Sequence, residues 1–312
     1  MTRPFSIAAA SFAVALLAAN PAGAWSRPGH MLTAAIAFDD LSAHDPAVLD
    51  TIAALLARHP DHGPFEVAAD RTSGAERTLR LMMECARWPD DQRGTPFDHP
   101  TWHYAEVATA GAGAPADMPK AVSGQAIEAL RLTLAEAGDP LAPVADRALA
   151  LCWVMHLAGD IQQPLHNSTL YSATYPQGDA GGGKQFVRDP ETGTVVSLHW
   201  YWDDRVNKSA DPQTIKTLAA NIETRFPRGG LSELSGPQEV AQWAAESHAL
   251  AVQHAYPASL ATATAEANAP TVPADYAKMS YEISSRRLAL GGYRLADLLR
   301  AIAAAPVAKD AK

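Results

Sequence analysis

The sequence predicts an all-α protein, a single mostly helical domain with a long loop and a short hairpin near the candidate site. Apolar residues recur every three to four positions through most of the 312 residues. Proline and helix-capping residues delimit these periodic stretches. The 47% hydrophobic content excludes a disordered or fibrous protein, and the net charge of −9, without a basic block, excludes a basic surface that wraps duplex nucleic acid.

The N-terminal segment 1–24 is predicted to be a signal peptide. Its apolar run, 5–19, is shorter than the roughly 20 residues of a membrane span. Ala22 and Ala24 form an A-x-A cleavage pattern that would leave Trp25 as the new N-terminus. The alternative is an uncleaved membrane anchor. We therefore expect a secreted or periplasmic protein without a membrane anchor after processing.

The mature chain is predicted to form one domain, 25–306, followed by a flexible tail, 307–312. Asp45 and Pro46 provide a cap and a first-turn proline for the second helix, and Pro89 ends the third. The periodicity predicts helices at 30–41, 47–58, 74–88, 123–137, 143–163, 197–207, 211–225, 237–254 and 274–304, the last interrupted near Gly291-Gly292.

The segment 167–196 breaks the helical pattern because it is rich in Gly, Tyr, Thr and Asp. Within it, 184–188 and 194–197 flank a Pro-Glu-Thr-Gly turn, which predicts one hairpin. A loop of this length in a compact domain is usually functional. The Ala-rich segment 257–272 is predicted to be a surface loop.

Cys85 and Cys152 are the only cysteines. They either pair or are two small buried apolar residues. We favour two unpaired cysteines, because free cysteine is commonly buried and nothing in the sequence brings these two together.

Histidine and aspartate recur at helical spacing. His156 and Asp160 are four residues apart on one helix face, and His166 follows the end of that helix. His199 and Asp203 repeat the spacing. One such pair alone is explained by a helix-stabilising hydrogen bond. The combination instead predicts a metal site, because imidazole nitrogen and carboxylate oxygen are ligands that Zn²⁺ prefers.

Three further segments place metal-binding or charged groups beside aromatic residues. They are Trp25-Ser-Arg-Pro-Gly-His30, Trp88-Pro-Asp90-Asp91-Gln-Arg93 and Trp102-His103-Tyr104. The ordered motifs W-x4-H, W-x-D-x-x-R, W-H-Y, H-x3-D-x5-H, D-x-G-G and L-H-x3-D span essentially the whole mature chain. With them, the chain resembles the zinc-dependent single-strand-specific nuclease family of fungi and plants, within the phospholipase C/nuclease superfamily.

The resemblance implies three Zn²⁺ ions as cofactors. One is held by Asp90, His103 and His156. A second is held by His30 and by the amine and carbonyl of Trp25, Asp160 bridges these two ions, and the third is held by His166, His199 and Asp203.

The same resemblance implies an endonuclease and 3′-nucleotidase that cleaves single-stranded RNA and DNA to 5′-phosphorylated products. Two ions about 3.5 to 4 Å apart can share a hydroxide that is a nucleophile at neutral pH. The third ion would stabilise the leaving 3′ oxygen. Nucleic acid and nucleotides are then the expected substrates, and no stable protein partner is implied.

The candidate catalytic residues are Arg93 and Glu106. Arg93 lies where the family has a phosphate-facing cation, although a salt bridge to Asp91 would also explain it. Glu106 lies where the family commonly has Asp. Tyr104 occupies the position of an aromatic residue that stacks on a base, unless it is ordinary core packing. Where the family reads Gly-Gly-Asn, the chain reads Gly-Gly-Gly-Lys184, so Lys184 is a candidate phosphate contact.

Two other functions compete with the nuclease. A phospholipase C of the same superfamily separates the terminal Trp from the first His by more residues and tends to end the last motif in Glu, so Trp25, His30 and Asp203 favour the nuclease. A non-catalytic zinc-binding protein would need neither a bridging Asp160 nor the cation Arg93.

Overall fold

A computed structural model describes residues 25–236, 238–257 and 259–304. The predicted signal peptide, 1–24, and the predicted tail, 307–312, lie outside these residues. The described chain is a mostly helical domain, as predicted. Its helices are α1 (Arg27–His44), α2 (Pro46–Leu56), α3 (His62–Ala68), α4 (Gly74–Arg87), α5 (Ala126–Gly138), α6 (Val144–Asp160), α7 (Leu198–Asp203), α8 (Pro212–Arg225), α9 (Val240–Leu250) and α10 (Ala274–Ala304).

The short strands form two small sheets beside the helices. β1 (Ala105–Ala110) pairs antiparallel with β2 (Ser123–Gly124) and parallel with β3 (Ser168–Tyr171). β4 (Phe186–Arg188) and β5 (Val195–Ser197) pair antiparallel, which confirms the predicted hairpin. β1 was not predicted, because its alanines have low β propensity and its parallel partner β3 is distant in the chain.

The main core lies between α1, α4, α6 and α10. α1 packs along α10 and α4, and α6 packs on α5 and α4. A smaller cluster is built around Leu165, Trp202 and Tyr276. None of the helices in the described ranges combines the length and the apolarity that crossing a bilayer requires.

The predicted interruption of the last helix is wrong. α10 runs unbroken through Gly291 and Gly292. A β-carbon on Gly292 would lie 2.5 Å from the β-carbon of Ile36, and one on Gly291 would lie 3.1 Å from Cγ2 of Thr33. The two glycines therefore let α1 approach α10 closely rather than end the helix.

Some helix limits differ from the predicted ones because other elements begin there. The helix predicted from 123 begins at Ala126, because the preceding residues pair as β2. The predicted helix 143–163 ends at Asp160, and α3 was not predicted. The described residues of 257–272 are mostly irregular, as expected, but Leu260 and Ala263 are buried, so this loop is not wholly on the surface.

The preference for unpaired cysteines is also wrong. Cys85 of α4 and Cys152 of α6 form a disulfide, with their Cα atoms 4.7 Å apart. Both side chains are fully buried. The two helices pack side by side, and this contact between residues 67 positions apart leaves no local signal in the sequence.

Candidate metal centre

The last turn of α6 and the start of α1 supply the first donors. His156 and Asp160 are fully buried on one face of α6, with His156 Nε2 3.0 Å from Asp160 Oδ2. His30 of α1 places Nε2 3.3 Å from Asp160 Oδ1. The rings of His30 and His156 stack with centroids 3.9 Å apart. Asp160 therefore presents one oxygen to each histidine.

Two 3₁₀ turns bring Asp90 and His103 close to Asp160 and His156. Asp90 lies in the turn Trp88–Gln92 directly after α4, and His103 ends the turn Pro100–His103. Nδ1 of His103 is 3.3 Å from Asp160 Oδ2 and 3.8 Å from Asp90 Oδ1. His103 therefore lies near the carboxylates of both Asp90 and Asp160.

A further group lies around Asp203 at the end of α7. His166 Nε2 is 3.5 Å from Asp203 Oδ1, and His199 Nε2 is 3.4 Å from Asp203 Oδ2. Gln163 donates a 2.7 Å hydrogen bond to Asp203 Oδ1. His166 also lies 3.6 Å from Asp160, which connects this group to the first donors.

Three sets of ligand atoms thus converge, each set within 4.8 Å. His156 belongs to two of them. The sets are His30, His156 and Asp160; Asp90, His103 and His156; and His166, His199 and Asp203. The structure therefore brings together eight of the nine residues expected from the sequence to bind metal.

Backbone carbonyl groups orient three of the rings. Nδ1 of His156 donates to the carbonyl of Ala86 at 2.9 Å, and Nδ1 of His166 to the carbonyl of His103 at 3.0 Å. Nδ1 of His199 donates to the carbonyl of Gly181 at 2.8 Å. A carbonyl can only accept, so each Nδ1 carries a proton, and Nε2 presents a lone pair when the ring is neutral. Such outer contacts are typical of metal-binding histidines.

The donor groups fit a divalent cation. Six buried side-chain atoms of the donor residues lack a hydrogen-bond partner among the described residues: Nδ1 and Nε2 of His30, Nε2 of His103, Nε2 of His166, Oδ1 of Asp160 and Oδ2 of Asp203. Leaving such an atom unsatisfied costs about 1–3 kcal/mol. A set of nitrogen and carboxylate donors around one space suits Zn²⁺.

Burial favours the neutral imidazole that a metal requires at His30 and His103, whereas at His156 the charges of Asp160 and Asp90 outweigh burial and raise the pKa. Burial lowers the pKa of His30 to about 4, with the neighbouring His156 acting in the same direction. Burial likewise lowers the pKa of His103 to about 4. For Asp160 burial opposes ionisation, but the charge of His156 and hydrogen bonds from both neighbouring imidazoles outweigh it and hold the pKa well below its usual range.

Trp25 is fully buried beside these groups. Its indole Nε1 donates a 2.9 Å hydrogen bond to the carbonyl of Gly159. A β-carbon on Gly29 would lie 2.9 Å from the Trp25 side chain, so only glycine fits there. The role of Trp25 as the ninth ligand stays a prediction.

Arg93 lies at the edge of the centre. Its Nη2 is 3.6 Å from Asp90 Oδ1, and its Nη1 is 3.7 Å from Asp98 Oδ1. The alternative of a salt bridge to Asp91 is wrong, because Asp91 pairs with two other arginines. Nη2 of Arg93 is buried without a hydrogen-bond partner in the described chain, so a donor remains for a substrate oxygen.

Glu106 on β1 lies against the loop that carries Gly181. A β-carbon on Gly181 would lie 2.8 Å from Glu106 Oε1. Burial, strengthened by the charge of Asp179 and opposed by that of Lys184, raises the pKa of Glu106 to about 8. Lys184 itself donates a 2.8 Å hydrogen bond from Nζ to the carbonyl of Gly178. This raised pKa favours the protonated form of Glu106 at neutral pH.

Tyr104 is half-buried, and one edge of its ring lies against the backbone of Gly124. A β-carbon at Gly124, whose φ is +88°, would lie 2.4 Å from Cδ2 of that ring. The ring thus packs on β2 through its edge. Its proposed contact with a base stays a prediction.

Two residues with supporting roles were missed in the sequence. Gln163 holds Asp203, and its only signal is its position between Asp160 and His166. Asp179 accepts a 2.8 Å hydrogen bond from the amide of Leu170 and so fixes the loop before Gly181. It is the aspartate of the D-x-G-G motif, which could have pointed to it.

Comparison with known proteins gives a nuclease family, as the sequence motifs indicate. The model of the family described as S1/P1 Nuclease matches residues 25–304. Endonuclease 3 of Arabidopsis thaliana is 32% identical over 168 residues, which is 49% of this chain and 51% of that protein. Nuclease S1 of Aspergillus oryzae is 28% identical over 173 residues, 50% of this chain and 55% of that protein.

A third relative, Endonuclease 4 of Arabidopsis thaliana, is 33% identical over 165 residues, which is 49% of this chain and 50% of that protein. These alignments span about half the length of the curated relatives, whereas the family model covers nearly all described residues. Together with the convergence of its histidines and aspartates, this match shows that the chain belongs to the S1/P1 nuclease family.

Proposed function

We propose that the protein is a secreted or periplasmic zinc-dependent endonuclease and 3′-nucleotidase that hydrolyses single-stranded RNA and DNA to 5′-phosphorylated products. The observation that carries the proposal is the convergence of three donor sets with unsatisfied buried atoms. Membership of the family and the names of its nuclease relatives support the same activity.

Each donor set would bind one cation. Asp90, His103 and His156 would hold one Zn²⁺ ion, and His30 with Trp25 a second, with Asp160 between them. His166, His199 and Asp203 would hold a third. When bound, the ions supply Lewis acidity and lower the pKa of a coordinated water.

The remaining candidates would bind and orient the substrate. Nη2 of Arg93, which is 3.6 Å from Asp90 and has no hydrogen-bond partner among the described residues, can donate to a phosphate oxygen. Tyr104 would stack on a base, a contact worth about 1–3 kcal/mol that requires the base to leave a duplex. Protonated Glu106 can donate a hydrogen bond to substrate, and Lys184 lies on the adjoining loop.

The decisive experiment uses the processed chain, beginning at Trp25. Its metal content is measured first, and the protein is then incubated with single-stranded DNA, duplex DNA, a 3′-nucleotide and phosphatidylcholine. We expect bound zinc and rapid release of 5′-nucleotides from the single strand. Release of phosphocholine without nucleotides would instead identify a phospholipase C. Bound zinc with no hydrolysis of any substrate would identify a non-catalytic zinc-binding protein.

A further inference from the structure

The Cys85–Cys152 disulfide lies beside the candidate metal centre rather than in a remote part of the core. Cys85 precedes Ala86, whose carbonyl accepts the Nδ1 hydrogen of His156. Cys152 is one turn before His156 on α6. The covalent bond and this hydrogen bond therefore join the same two helices about one turn apart.

The two helices lead directly into one donor set. Asp90 lies in the 3₁₀ turn that continues α4, while His156 lies on α6. His156 Nε2 and Asp90 Oδ1 are 3.9 Å apart. Any sliding of α4 along α6 would change this distance and would also move the Ala86 carbonyl that fixes the imidazole ring.

We propose that the Cys85–Cys152 disulfide is a positioning element of the metal centre, which holds the end of α4 against α6 so that Asp90 and His156 can bind one cation together. The inference rests on the proposed metal binding. It assigns to the two cysteines a role beyond general stability. The set formed by His166, His199 and Asp203 is supplied by other elements and should depend less on the disulfide.

The test measures Zn²⁺ affinity by competition with a chromophoric chelator. It compares the processed wild type, the double variant Cys85→Ala/Cys152→Ala, and wild type refolded with a phosphine reductant, in which two thiols replace the bond. The double variant has no thiols, so it separates loss of the bond from zinc binding by the thiols themselves. Loss of an outer contact of a metal ligand typically lowers affinity about 10- to 100-fold. We expect a loss of that size for the weakest site in both cross-link-free forms.

Leu299→Ala is the matched control, because this fully buried residue of α10 lies outside the donor sets and its truncation destabilises the protein through a cavity. All measurements are made well below the melting temperature of each form. We expect the control to keep wild-type affinity. Equal Zn²⁺ affinity with and without the disulfide, or an equal loss in the control, overturns the proposal.

A second measurement needs only the wild type and covers the case in which the altered forms do not fold. Linkage is reciprocal, so a disulfide that tightens Zn²⁺ binding tenfold must itself be favoured tenfold by bound Zn²⁺. That factor equals about 30 mV for a two-electron couple. The oxidised fraction is therefore measured in a graded thiol–disulfide buffer with and without Zn²⁺, and an unchanged midpoint overturns the proposal.

Failure of this inference and failure of the proposed function give different results. If wild type binds zinc and cleaves single strands, but the double variant binds zinc equally well, the positioning role is wrong and the nuclease stands. If removal of the disulfide weakens zinc binding but wild type cleaves no nucleic acid, the positioning role stands and the nuclease is wrong.

Discussion

The hydroxyl of Ser26 donates a 3.2 Å hydrogen bond to the backbone carbonyl of Asp203, the residue that ends α7. The amide of Ser26 points to the same carbonyl at 3.4 Å. The backbone next to Trp25 is therefore attached to a residue of a donor set far along the chain. This contact places Trp25, the N-terminus that the sequence predicts after processing, beside the proposed metal centre.

One additional residue before Trp25 should weaken zinc binding. A peptide nitrogen cannot coordinate as a free amine does, so the ion shared with His30 would lose a ligand. We expect lower zinc content and lower cleavage of single-stranded DNA, measured beside a chain processed to Trp25. A chain extended at the C-terminus is the control. Equal zinc content in the protein with the extended N-terminus and in the protein processed to Trp25 would contradict the role of Trp25 as a zinc ligand.

Asp160→Ala should lose two of the proposed ions and abolish turnover. Its two oxygens lie 3.3 Å from Nε2 of His30 and 3.0 Å from Nε2 of His156, whereas the oxygens of Asp90 lie 3.8 and 3.9 Å from the same two atoms. Metal content and single-strand cleavage check this. Asp211→Asn, at the exposed N-cap of α8, is the control. Activity near wild type in Asp160→Ala would refute the bridging role.

Arg93→Ala should lower kcat/KM by about 100-fold or more while zinc content stays unchanged, because a donor aimed at developing negative charge is lost. Arg93→Lys should recover only part of the activity, because lysine keeps the charge but not the planar pair of donors. Steady-state kinetics with a 3′-nucleotide measure both. A wild-type kcat/KM for Arg93→Ala would show that this guanidinium does not contact the substrate.

Glu223→Gln should stabilise the protein above neutral pH. Burial and the nearby charges of Asp39 and Asp40 raise the pKa of Glu223 from 4.5 to about 7. The folded state therefore keeps a proton that the unfolded chain releases, and the stability that this proton provides is lost as pH rises from about 4.5 through about 7. Because the side chain is only partly buried, solvent reduces the effect.

The melting temperature of Glu223→Gln is compared with that of wild type at pH 5 and pH 8. The difference should be small at pH 5 and should favour the variant at pH 8. Glu128→Gln, at an exposed position of α5, serves as the control. A constant difference between the two pH values would show that Glu223 titrates normally.

The sequence alone predicts the features that depend on short spacing. His156 and Asp160 are four residues apart on a helix, as are His199 and Asp203, so their common faces follow from helical geometry. The hairpin is predictable in the same way from its turn. Short-range spacing therefore predicts most of the helices and the two pairs of histidine and aspartate that lie on helices.

Features that depend on long-range contacts were not predictable. The pairing of Cys85 with Cys152 requires α4 to lie on α6, and β1 requires β3 as its parallel partner. Gly292 breaks helices by local propensity, but here the approach of Ile36 gives it a different role. The partner of Arg93 was likewise set by the turn after α4, which brings Asp98 rather than Asp91 within reach.

The close packing of Ile36 on Gly292 also makes the first donor set depend on α10. α1 carries His30, and its main partner is α10, which begins at residue 274. A chain terminated before residue 274 would leave α1 without the surface that orients it. A chain shortened in this way should therefore fail to bring His30 to His156 and Asp160, although all three residues are present in it.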